Sequence, residues 1–147
     1  MTAIEAELFI RAEPARIAAV LADPAWQDGW ARGLIIRPYA DRGAEGMRSV
    51  VTGVLTGSCE WWIEPVPPHE SAGTAPARGA VVHFWLRPVQ AEANGWWRTG
   101  PASGRRAELH RRNVARRWRS ALFRLKDALE RPDRDGTAFP ARTPGVG

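Results

Sequence analysis

Several things are scarce in this chain. Its 147 residues include one cysteine (Cys59), one tyrosine (Tyr39) and one lysine (Lys126), the other twenty basic residues being arginine. A lone cysteine excludes an intrachain disulfide and fits a reducing, cytoplasmic setting. No stretch approaches the roughly 18 apolar residues of a membrane span. The opening residues, MTAIEAELFIRAEP, carry acids and alternation where a signal peptide would carry a basic patch and an apolar run. Clustered Cys, His or carboxylate spacing suited to a metal is missing. The segment DRGAEG (41–46) has too few glycines to cradle a phosphate. No cofactor or metal is expected.

What is present is tryptophan, eight residues in all, and a positive charge of +5 that suggests nucleic acid at first sight. The charge is unevenly placed. Residues 105–131 hold ten basic residues against Glu108, Asp127 and Glu130, whereas residues 1–104 carry a net −2 and the tail is neutral. The excess belongs to one segment, and DNA binding is not expected.

The length suits one domain with a real core. Residues 3–11 alternate, with Ile4, Ala6, Leu8 and Ile10 on one face, as a half-buried strand does. Pro14 opens a short helix that Asp23-Pro24 ends, and a second short helix carries Trp26 and Trp30 four apart. Residues 34–40 read as a strand that Pro38 relegates to an edge or bulge. Strands follow at 47–56, 59–66 and 80–89, and together these form an antiparallel sheet. The segments 67–79 and 90–104 read as loops, the latter holding Trp96-Trp97, which could cap a cavity or simply pin the loop. From about 104 to 131 runs one helix of roughly 40 Å. Ala107, Val114, Trp118, Ala121, Leu122, Leu125 and Leu129 share its apolar stripe, with arginines opposite. Arg111 projects into that stripe, either snorkelling past the last apolar contact or meeting a polar ligand group. Residues 132–147 read as a disordered tail.

The stretch GSCEWWIEP (57–65) sets two tryptophans side by side, and a strand must send them to opposite faces. Pairing inner sets puts Cys59, Trp61 and Ile63 with Val82, Phe84 and Leu86. The outer sets then match chemically, Glu60 and Glu64 against Arg87 and His83. Trp62 and Trp85 land on the outer face, where they pack on each other and on arginine stems or form a homodimer interface. The inverted register remains open, and it would put Glu60 and His83 inside as an acid/base pair. The remaining histidines, His69 and His110, lie on a loop and the long helix, and Cys59 has no histidine partner on its face.

The residues AEPARI (12–17), LADP (21–24) with Trp26 and Trp30, CEWWIEP, VVHFWLR and the closing WRSALFRLKDALE resemble the START-like, helix-grip superfamily (SRPBCC), which includes polyketide cyclase/dehydrase and lipid-transport proteins. The resemblance covers about residues 3–131. It implies an α+β fold in which a curved antiparallel sheet grips the long helix, with a cavity between them. The expected domain is 1–131. The expected function is binding of a hydrophobic or aromatic small molecule, with Trp30, Leu55, Trp61, Phe84 and Trp118 as walls and Arg111 as polar anchor. The alternatives are a polyketide cyclase/dehydratase-type enzyme and a protein- or RNA-interaction module working through the arginine-rich helix. Eight tryptophans could also plug a small cavity completely.

Overall fold

A computed structural model describes residues 2–67, 79–89 and 102–131. Strand β1 (Ile4–Ile10) is followed by helices α1 (Pro14–Leu21) and α2 (Pro24–Trp30). Strand β2 (Leu34–Asp41), a single 3-10 turn at Gly43–Glu45, and strands β3 (Gly46–Gly53), β4 (Gly57–Val66) and β5 (Gly79–Pro88) come next, and helix α3 (Ala102–Glu130) ends the series. All five strands form one antiparallel sheet in the order β1-β5-β4-β3-β2. This is the α+β architecture that the sequence patterning predicts.

Local chemistry sets the boundaries. Proline occupies the first turn of both short helices, where its missing N–H costs no bond. Asp23 caps α2 by accepting from the Ala25 N–H at 2.9 Å. The Gln27 side chain donates to the Leu21 carbonyl, so the two helices are stitched at their junction. Strand β2 lies at the sheet edge, and its register shifts between Pro38 and Ala40, so Pro38 is accommodated by edge and bulge together.

One face of the sheet packs on the helices. Ile4, Ile10, Met47, Val51, Cys59, Trp61, Ile63, Val82, Phe84 and Leu86 are buried there, against Ile17 and Leu21 of α1, Trp30 of α2, and Val114, Trp118, Ala121, Leu122 and Leu125 of α3. Two polar ties fix α3 to the first strand. Lys126 Nζ donates to the Phe9 carbonyl at 2.8 Å, and the Arg11 N–H donates to Glu130 Oε1 at 2.8 Å. Arg117 also reaches the Arg32 carbonyl beyond α2. The expected loop at 67–79, the Trp96-Trp97 pair, His69 and the tail at 132–147 lie essentially outside the described residues.

Candidate functional site

Alternation puts Met47, Trp61, Phe84 and Ala6 in one cross-strand row on the inner face, from β3 through β4 and β5 to β1. Helical spacing aims Trp118 of α3 at the same row, and the four-residue step from Trp26 to Trp30 stacks a second helix face beside it. The rings meet. Phe84 lies parallel to Trp118 at 3.8 Å between centroids, while Trp30 packs edge-on to Trp118 at 4.7 Å and to Phe84 at 5.6 Å. Trp26 closes the group at 5.5 Å from Trp118. Trp30, Trp61, Trp118 and Phe84 are all buried. Three of the residues expected to line a cavity thus touch one another directly.

The cluster has an unmet polar requirement. The indole N–H groups of Trp30 and Trp118 are buried and have no hydrogen-bond partner among the described residues. A buried donor without an acceptor costs about 1–3 kcal/mol, and buried indoles usually find one.

Beside the cluster runs a groove of about 280 Å³ between α1 and the turn that follows β2. Ala15, Ala18, Ala19 and Ala22 form one wall, Asp41, Gly43, Ala44 and Gly46 the other, and Met47 and Trp61 the floor. The small residues on α1 keep it open. Asp41 accepts from the Gly43 N–H at 2.8 Å, which shapes the rim. Gly46 has φ +135, and a Cβ there would sit 2.1 Å from the Trp61 carbonyl oxygen, so only glycine lets the turn approach β4 this closely. Trp61 thus lines the groove and is also the register neighbour of Phe84 in the aromatic cluster. A second cavity, of about 410 Å³, borders Gly104, Arg105, Glu108, Leu109 and Arg112 of α3.

Leu55 is buried in the turn joining β3 to β4, just past the strand in which the sequence pattern put it. Arg111 is half-buried and engaged within its own helix, its Nε and Nη2 donating to Glu108 at 2.8 and 2.7 Å. Hydrogen bonds from Arg111 above all hold the Glu108 carboxyl down to about 2. Burial pushes the Cys59 thiol up to about 12, with the adjacent Ser49 hydroxyl opposing it, so this inner-face sulfur is held as the neutral thiol.

The outer face bears out the expected register and corrects one pairing within it. Glu60 and His83 both lie there, so the inverted register and its internal acid/base pair are excluded: Cys59, Trp61 and Ile63 join the apolar core, while Glu60 is buried on the opposite face beneath its arginine partners. Glu60 also does not pair with Arg87, whose register partner on β4 is Ser58. It is held instead by Arg42 and by Arg48, which stands directly opposite on β3. His83 bridges three strands, with Glu7 Oε1 at 2.9 Å from Nδ1 and Glu64 Oε2 at 3.0 Å from Nε2. Trp62 stacks on the His83 ring at 4.5 Å, and the Arg87 guanidinium covers Trp85 at 4.5 Å. Among the described residues no group of His, Cys and carboxylates could hold a metal ion, and no helix is long and apolar enough to cross a membrane.

No protein-family model matches the sequence, and no curated protein sequence is detectably similar to it. Solved structures do match. Aha1 of Colwellia psychrerythraea, determined in solution as a dimer, is 15% identical with a TM-score of 0.53 over 88% of this chain and 97% of that one. A Deinococcus radiodurans protein is 14% identical with a TM-score of 0.54, over 88% and 98%. The di-domain ARO/CYC protein BexL from the BE-7585A biosynthetic pathway is 13% identical with a TM-score of 0.51, over 89% of this chain and 51% of that one. Such identities speak to architecture alone, and with a five-stranded antiparallel sheet wrapped on a long carboxy-terminal helix, the chain has the START-like, helix-grip fold.

Proposed function

We propose that the protein binds a flat, hydrophobic or aromatic small molecule, lipid- or polyketide-like, between the sheet and α3. The observation that carries this reading is the pair of unpartnered indole N–H groups inside the Trp30–Phe84–Trp118 cluster. A ligand with a carbonyl or hydroxyl oxygen would satisfy both donors while its apolar body replaces ring–ring contacts. The groove floored by Trp61 would be the approach route, since Trp61 is the register neighbour of Phe84. Leu55 would border the ligand. Arg111 would serve as polar anchor only by exchanging Glu108 for a ligand anion. The helix-grip likeness to an ARO/CYC protein supports this reading at the level of fold. The cyclase/dehydratase alternative loses its acid/base groups, since Glu60 and His83 face away.

Native mass spectrometry of freshly purified protein, followed by Trp fluorescence titration with a panel of aromatic polyketides and fatty acids, tests the proposal. Bound mass of a few hundred daltons, or quenching that weakens at least tenfold in Trp118→Phe, supports it. A bare monomer that no panel member quenches would overturn it. A doubled mass would assign the Trp62 and Trp85 face to a homodimer.

A further inference from the structure

The positive charge of residues 105–131 is not used by the cluster or the groove. On α3 exposed positions recur every three or four residues at Arg105, Leu109, Arg112, Arg116, Arg119 and Phe123, so these form one stripe along the solvent side. Arg106, Ser120 and Arg124 flank it, and the acid at its edge, Glu108, is engaged with Arg111 and Arg112. Of its arginines, Arg112 shares Glu108 with Arg111, Arg116 reaches only Asn113, and Arg105 and Arg119 have no partner among the described residues. Leu109 and Phe123 are each 57% exposed. Fourteen residues apart, they stand about 21 Å from one another on nearly the same face of a straight helix.

A solvated helix face needs charge but gains nothing from a leucine and a phenylalanine held in water. Apolar side chains set among arginines along a straight line match a planar surface that is anionic outside and apolar just beneath. We propose that this stripe docks the protein on an anionic phospholipid surface, with the arginines on lipid phosphates and Leu109 and Phe123 inserted between headgroups. RNA fits less well, since Phe123 is the stripe's only ring for a base to stack on and Leu109 would have no role. This docking is independent of whether the aromatic cluster holds a ligand.

The test is flotation of the full chain with vesicles of phosphatidylcholine alone and of phosphatidylcholine with 30% phosphatidylserine, at near-physiological salt. The expected result is binding to the anionic vesicles only. Each arginine near such a surface contributes about fivefold in affinity, so the triple variant Arg112→Glu, Arg116→Glu, Arg119→Glu should lose about a hundredfold or more. The double variant Leu109→Ala, Phe123→Ala should weaken binding at unchanged net charge, and Arg116→Lys should keep it. Circular dichroism checks that each variant folds. Equal binding to neutral vesicles, binding unaffected by charge reversal, or filter binding to poly-U RNA without vesicle binding would each overturn the proposal.

Discussion

Replacing Trp118 with phenylalanine tests the buried indole N–H of the aromatic cluster. The ring at this position is fully buried, stacks on Phe84 at 3.8 Å and meets Trp30 at 4.7 Å. Phenylalanine keeps a ring in the stack but vacates about 40 Å³, which at about 24 cal/mol per Å³ costs about 1 kcal/mol. The lost apolar area adds about 1 kcal/mol more. Against this, the substitution removes a buried N–H that has no acceptor among the described residues, returning about 1–3 kcal/mol. The two sides nearly cancel, so Trp118→Phe should fall within about 1 kcal/mol of wild type. Trp118→Ala, which empties the site, should cost about 3–5 kcal/mol. Urea unfolding followed by far-ultraviolet circular dichroism measures both. A loss near 3 kcal/mol for Trp118→Phe would refute the reasoning, because it would mean that the indole N–H is well bonded and contributes to the fold.

Two further perturbations follow from geometry already described. Gly46→Ala drives a Cβ into the Trp61 carbonyl at φ +135 and should cost about 3 kcal/mol or more, whereas Gly43→Ala, at φ +58 with open space around it, should cost about 1 kcal/mol; melting temperatures separate the two. The Cys59 thiol keeps its proton in the fold to about 12, while the unfolded chain begins to lose it near 9.0. Its contribution is therefore complete below pH 9 and is lost as pH rises from there, by about 1.4 kcal/mol per pH unit. Unfolding at pH 8 to 11 should show wild type falling faster than Cys59→Ala, and parallel curves would contradict the assignment.

The faces of the strands were readable because alternation in CEWWIEPV and AVVHFWLRP is strict and the inner residues are large and apolar. That alone separates Trp61 from Trp62. The partner of Glu60 was not readable. Matching β4 with β5 by charge suggested Arg87, but register depends on both neighbours, and Arg48 on β3 sits directly opposite. Arg42 reaches the same carboxylate from the turn after β2, whose path no local pattern specifies. The helix stripe told which side of α3 is buried, yet not that Arg111 bends back to Glu108 one turn earlier. Whether the inner rings touch or stand apart depends on sheet curvature summed over five strands. Sequence periodicity has no access to that quantity.

The strand order has a consequence for how the chain assembles in time. β1 precedes the other strands, but its only sheet neighbour among the described residues is β5, so Ile4 must wait for Leu86 before it can pair. The strands from β2 to β5 can zip one after another as hairpins, while β1 and the edge it will cover stay unpaired until the chain has nearly reached α3. Closure of that long span sets the slow step expected of a topology with such distant partners. A ribosome-bound chain cut short before residue 79 would thus hold an orphan first strand, the state most exposed to pairing with the wrong neighbour.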